Sequence, residues 1–207
     1  MSKDIFREGL KPYLPEESLD TIAEWLSDLD LHLTLWEHRE SKFGDFRAPR
    51  NPLEPGRISV NKSLNKYAFL ITIVHEISHA VVYYRWGRSV KPHGREWKDD
   101  YRNRMMFFAL NNIFPTDIRM ALMPTLINPS ASTAREGELM KVLRRYDEGK
   151  NKDNRVTIDE LSEGDRFLAH NGKVFTLGKK IRTNYYCYDE NNGDTYRVSG
   201  QALVTKL

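Results

Sequence analysis

The chain has 207 residues, of which 40% are hydrophobic and 29% charged, with a formal net charge of +3. That composition belongs to a globular protein, long enough for one ordinary domain and a small second one, and excludes low-complexity and collagen-like chains. No run of about 18 apolar residues occurs, so no transmembrane helix is expected, and the single cysteine, Cys187, excludes an internal disulfide framework. The N-terminus, Met1-Ser2-Lys3-Asp4-Ile5-Phe6-Arg7-Glu8, is charged and lacks an apolar signal core, which points to a cytoplasmic location. The mild net charge alone says little about nucleic acid.

In chain order, Pro15-Glu16-Glu17-Ser18 opens a helix with Pro and acids in its first turn, and Leu19, Ile22, Ala23, Leu26 and Leu29 continue it at helical spacing. Leu31 to Trp36 alternates and is rich in strand formers. His32 and His38, in or just after it, read as polar-face residues. Ser41 to Pro55 is basic and loop-like, with room for one strand, and Arg57 to Asn61 reads as a short strand.

A helix beginning near Asn61 to Ser63 then carries Leu64, Tyr67, Ala68, Ile71, Val74 and Ile77 as a core face and is apolar on most sides, as a buried central helix is. Its polar exceptions are His75, Glu76 and His79, which spell H-E-x-x-H. Residues four apart share a helix face, so both imidazoles can reach one metal ion. Glu76 then lies beside the metal, where a carboxylate can take a proton from a metal-bound water. Burying such groups without partners costs several kcal/mol, about 2–7 for a polar group, and a metal resolves that.

A catalytic zinc needs a third protein ligand and an open position. The metzincin spacing fails, because Val82 and Arg85 stand where Gly and His are required. Glu96 would suit a ligand from a later helix. His93, between Pro92 and Gly94, sits in a turn beyond the helix end at Gly87 and is the favoured third ligand. Glu96 to Leu110 reads as the next helix, where Trp97 can brace the His93 turn and Tyr101 is a candidate for stabilising a tetrahedral intermediate. Asp117 to Leu122 reads as a further short helix.

Residues 128–133 carry a boundary signal, Arg135 to Tyr146 reads as an amphipathic helix, and residues 147–155 as a polar linker. From Val156 the texture changes to short strands, at Arg166 to Ala169, Lys173 to Ile181, Tyr185 to Tyr188 and Thr195 to Val198. Asn171-Gly172 and Asn192-Gly193 are hairpin turns between them. The expected fold is therefore α+β, with domains at 1–127 and 156–207 joined by a 128–155 linker. The C-terminal unit is a small SH3-like barrel whose Lys179, Lys180, Arg182 and Arg197 interleave with tyrosines, a pattern suited to phosphate contacts and base stacking.

His75-Glu76-x-x-His79-Ala80, a loop, and His93-Gly94-x-x-Trp97, with the upstream segment Ile58-Ser59-Val60-Asn61 and Ser63-Leu64, resemble the SprT-like metalloproteases, which include bacterial SprT and Spartan. The likeness covers about residues 20–125. It implies a zincin-like domain, one Zn²⁺ held by His75, His79 and His93, and Glu76 as general base. It also implies that Ile58 to Val60 is an edge strand pairing with the substrate. The implied substrate is protein associated with or crosslinked to DNA, with activity gated by DNA, single-stranded for preference, and a nucleoid association if the source is bacterial. Arg85, Arg88, Lys91 and Arg95 around the site loop fit such a partner. One cysteine cannot build the family's C-terminal zinc ribbon, and the barrel falls in its place. Two alternatives stand beside this reading: a metalloprotease with a substrate unrelated to DNA, and a binding module with little protease activity.

Overall fold

Two units make up the chain, Met1–Asp147 and Glu148–Leu207. The computed structural model describes residues 2–37, 42–51, 53–129, 137–147 and 155–207. Among them no helix is long and apolar enough to cross a membrane. The protein is α+β, with six α-helices and two sheets among the described residues.

The first unit begins with a helix that the sequence reading passed over. In α1 (Lys3–Leu10) only Phe6 and Leu10 are buried, too few apolar positions to give a clear stripe. Ion pairs Lys3–Glu24 and Arg7–Asp20 lay α1 along α2 (Leu19–Ser27), which buries Leu19, Ile22, Ala23 and Leu26 as the periodicity predicts.

Three strands follow: β1 (Leu31–Trp36), β2 (Gly44–Arg47) and β3 (Gly56–Asn61). Their order is β1-β3-β2, with β1 parallel and β2 antiparallel to β3. The expectation that Ile58 to Val60 forms an edge strand is therefore corrected. That segment is the central strand, with Ile58 and Val60 buried, and the edges are β1 and β2, of which β2 lies beside the motif helix. A four-residue strand among prolines and basic residues leaves little alternation to read. His38, Ser41 and Pro52 lie outside the described residues.

The motif helix α3 (Lys66–Trp86) is buried along most of its length. It starts at Asn65, not at Asn61 to Ser63. The Asn65 side chain accepts from the Tyr67 and Ala68 amides and donates to the Leu143 carbonyl and the Asp147 carboxylate. Asn61 instead closes the preceding turn, accepting from Ser63. The helix ends at Gly87, whose φ of 61° suits glycine.

Helix α4 is Arg95–Leu110 and α5 is Thr116–Ile127, the latter running five residues beyond the expected Leu122. Pro124 hid that continuation, and Arg102 donates to the Leu126 and Ile127 carbonyls that the helix end leaves open. Helix α6 (Gly137–Arg144) buries Leu139, Met140, Val142 and Leu143 in the same core. Tyr146 behind it packs edge-on against Tyr67 and donates to Asp117. The helix expected in a linker thus belongs to the first unit. Residues 130–136 and 148–154 of the expected linker lie outside the described residues, Arg135 among them.

The second unit is one antiparallel sheet curled into a half-barrel. Its strands are β4 (Arg155–Thr157), β5 (Arg166–Leu168), β6 (Val174–Ile181), β7 (Asn184–Asp189), β8 (Thr195–Ser199) and β9 (Leu203–Lys206), in the order β4-β9-β5-β6-β7-β8. Ile158, Phe167, Phe175, Leu177, Cys187 and Val204 fill its core. The sequence reading missed β4 and β9, which are three and four residues long. The two Asn-Gly turns form as expected, with positive φ at Gly172 and Gly193.

Candidate metal centre

Helix α3 sets His75 and His79 one turn apart, and the turn behind Gly87 returns His93 to them. His93 itself has a φ of 56°, a left-handed conformation that costs an ordinary residue about 1–2 kcal/mol. Gly94, the next residue, must be small: a Cβ there would lie 2.8 Å from the Lys91 carbonyl oxygen. The three Nε2 atoms converge. His75 and His79 are 3.2 Å apart, His75 and His93 3.2 Å, and His79 and His93 2.8 Å. Tetrahedral nitrogens at the Zn–N distance of about 2.0–2.1 Å would stand roughly 3.3 Å apart, close to this spacing.

Charge supports the same fit. Burial, then the neighbouring His79 and His93, push His75 down to about 2. Burial and then His93 push His79 down to about 3, against the opposing field of Asp45. Burial, then Lys98, lowers His93 too. All three rings are thus neutral at pH 7, the form that ligates a metal. These three histidines lie close enough together to hold one metal ion, and Glu96 is not part of the cluster.

Trp97 is the floor of the cluster. Its ring lies 4.6 Å from that of His75, 4.7 Å from His93, and 5.2 Å from His79 in a stacked arrangement. Its indole N–H points at the His75 carbonyl at 3.4 Å. Tyr101 is buried, stacks on Trp97 at 4.9 Å and meets the His75 ring edge-on at 5.7 Å.

Glu76 is buried, and burial, followed by the charge of Asp45, pushes it up to about 8; a hydrogen bond from the Phe46 amide and the charge of Lys42 act the other way. Asp45 and Phe46 belong to β2, so the edge strand runs directly beside Glu76. Sequence reasoning missed this wall, because nothing in Gly44-Asp45-Phe46 marks it except the glycine. A Cβ on Gly44 would lie 2.7 Å from Glu76 Oε1 and 2.7 Å from Thr72 Cγ2. Gly44→Ala should therefore push β2 off α3, destabilise the fold by about 1–3 kcal/mol in denaturant titrations, and displace Glu76. Unchanged stability would mean that β2 has room to yield.

The same shifts fix a pH dependence for the metal-free protein. His75 and His79 are depressed below 6.5, so their contribution is present above pH 6.5 and lost as pH falls toward 3 and 2. Glu76 is raised, so its contribution is present below pH 4.5 and lost as pH rises through about 8. Thermal melts of metal-free wild type and Glu76→Gln should therefore diverge in favour of Gln between pH 4.5 and 8. A constant gap across that window would contradict the buried carboxyl.

The basic candidates are on the surface. Arg88, Lys91 and Arg95 are exposed, Arg95 with a long contact of 3.6 Å to Asp99, and Arg85 lies over the Trp86 ring. In the second unit Lys179 and Arg182 are exposed, with Arg182 at the β6–β7 turn, while Lys180 pairs with Asp159 at 2.8 Å. Arg197 lies 5.8 Å from the Tyr186 ring centre. Comparison of the chain with protein-family models, with curated proteins and with solved structures gives no match.

Proposed function

We propose that this chain is a zinc-dependent endopeptidase, with a zincin-like first unit and an SH3-like second one. The observation that carries the reading is the meeting of three neutral imidazole nitrogens at one point, with a buried carboxyl at the next residue of the same helix. An all-imidazole set of three suits Zn²⁺ and leaves a coordination position open. When bound, the ion supplies a Lewis acid for the attacking water and the scissile carbonyl. His75, His79 and His93 act as neutral ligands and so leave the cation its full charge. Glu76 takes the proton of the attacking water on a carboxylate oxygen and passes it to the leaving amine nitrogen. The Phe46 backbone of β2 lies against the carboxylate. The edge strand β2, paired on one side to β3, suits an extended substrate backbone on its other side.

The substrate proposed is protein associated with DNA, and the exposed Arg88, Lys91, Lys179 and Arg182 support a DNA partner. The test is cleavage of a DNA-binding protein by the purified chain, with and without single-stranded DNA, before and after chelation. Cleavage that needs DNA, stops with chelator and returns with Zn²⁺ is the expected result. Cleavage indifferent to DNA would keep the peptidase and remove the DNA coupling. No cleavage by zinc-loaded protein in either condition would overturn both.

A further inference from the structure

We infer that the mouth of the curled sheet in the second unit docks an extended peptide carrying a bulky apolar side chain and, two residues along, an acidic one. This does not depend on the peptidase reading. Strand β8 is the last strand of its sheet, with β7 as its partner, and is exposed along most of its length. Its side chains alternate. Arg197 turns to the outer face over Tyr186, while Tyr196 and Val198 face a cavity of about 350 Å³. A strand added beside β8 would share that alternation, so every second side chain of the peptide would enter the cavity. The volume lies at the lower end of the range for ligand sites, about 300–1,000 Å³, and fits one or two large side chains.

The chemistry of the walls sets the class of side chain. Phe167 and Phe175 form the floor, stacked with ring centres 5.6 Å apart, and Tyr196 meets Phe175 edge-on at 5.6 Å. Tyr196 and Leu203 stand at the mouth, each 40% exposed, a size of apolar surface that a partner would cover. Lys173 is the one formally charged lining residue. It bonds to Asp189 at 2.7 Å, and its ammonium lies 5.6 Å from the Tyr196 ring centre. The Asp189 side chain is fully buried and that of Lys173 is 41% exposed, so the outward end of this ion pair is the ammonium. That complements a carboxylate two residues from the inserted one, on the same face of the added strand. The backbone edge of β8 favours a peptide over a nucleic acid, because only a peptide continues the ladder.

The test uses the full chain carrying Glu76→Gln, so that no probe is consumed. The probe is a short fluorescein-labelled peptide of alternating Val and Thr with a central Trp and an Asp two residues to either side of it. Fluorescence anisotropy and backbone amide NMR are read together. The expected result is binding that shifts the amides of β8 and of the β5–β6 turn. Tyr196→Ser and Leu203→Ser, both at half-exposed positions that tolerate change, should each weaken it roughly tenfold. N-methylation of alternate peptide amides should abolish it, since it removes the ladder donors. Absence of binding, affinity unchanged in both Ser variants, or shifts confined to other strands would overturn the inference. So would an oligothymidylate that displaces the peptide and shifts the same amides, since the groove would then belong to nucleic acid.

Discussion

Replacing Glu76 by Gln is expected to leave one Zn²⁺ per chain and to lower peptide hydrolysis by about 10²–10⁴-fold, the usual contribution of a positioned general base. The two side chains have nearly the same shape. A Gln carbonyl oxygen can still accept from the Phe46 amide, so the contact between α3 and β2 survives. What is lost is the ability to take a proton and give it back. The metal ligands are untouched, since His75, His79 and His93 converge without help from Glu76. Two measurements on one preparation decide the matter: metal content by elemental analysis, and turnover of a peptide substrate. Zinc retained with turnover gone assigns the carboxyl its role. Turnover within a few-fold of wild type would remove Glu76 from the chemistry and leave the cluster without a base.

On the reading proposed above, the burial of the carboxyl bears on how it would work. A solvent-exposed glutamate would be ionised at neutral pH and weakly basic. Here burial and the nearby charge of Asp45 push it to about 8. On the proposed reading, a group whose affinity for protons lies near the operating pH would serve as both acceptor and donor, as one turnover of peptide hydrolysis requires in sequence. The positive charge of a bound cation beside it would draw that value down again, so the burial and the ion act in opposition.

Much of this site was legible in the sequence, and the reason is local. His75, Glu76 and His79 stand on one helix, and helical spacing fixes their relation whatever the rest of the chain does. The return of His93 was legible from Gly87, Pro92 and Gly94, because glycine and proline constrain a backbone directly. The wall facing Glu76 was not. It comes from β2, more than 25 residues upstream, and its place depends on pairing with β3, a contact no periodicity reports. For the same reason the reading put Ile58 to Val60 at the edge of the sheet, when the parallel pairing with β1 places it in the middle. Helix α1 and strands β4 and β9 were too short for a period to repeat. Helix α5 was cut short because Pro124 reads as a stop, while Arg102, from another helix, caps its far end.

Trp97→Ala should be the most damaging single change outside the ligands. The indole is 1% exposed and lies against all three histidine rings and Tyr101. Truncating a buried Trp typically costs about 3–5 kcal/mol, from lost transfer energy and from the cavity left behind. Here the cavity would open beneath the cluster, and the rings that Trp97 holds would gain freedom. A ligand set that must be ordered on binding loses affinity, so Zn²⁺ binding in chelator competition should weaken by about 10–100-fold, as it does when supporting residues are removed. Trp97→Phe separates packing from hydrogen bonding. The indole contact to the His75 carbonyl is long at 3.4 Å, so it contributes little, and a phenyl ring retains most of the stacking. Trp97→Phe should therefore recover the larger part of both stability and zinc affinity. If Phe proves as damaging as Ala in denaturant titration and in chelator competition, the indole N–H is what orders the site, and the packing account of the floor is wrong.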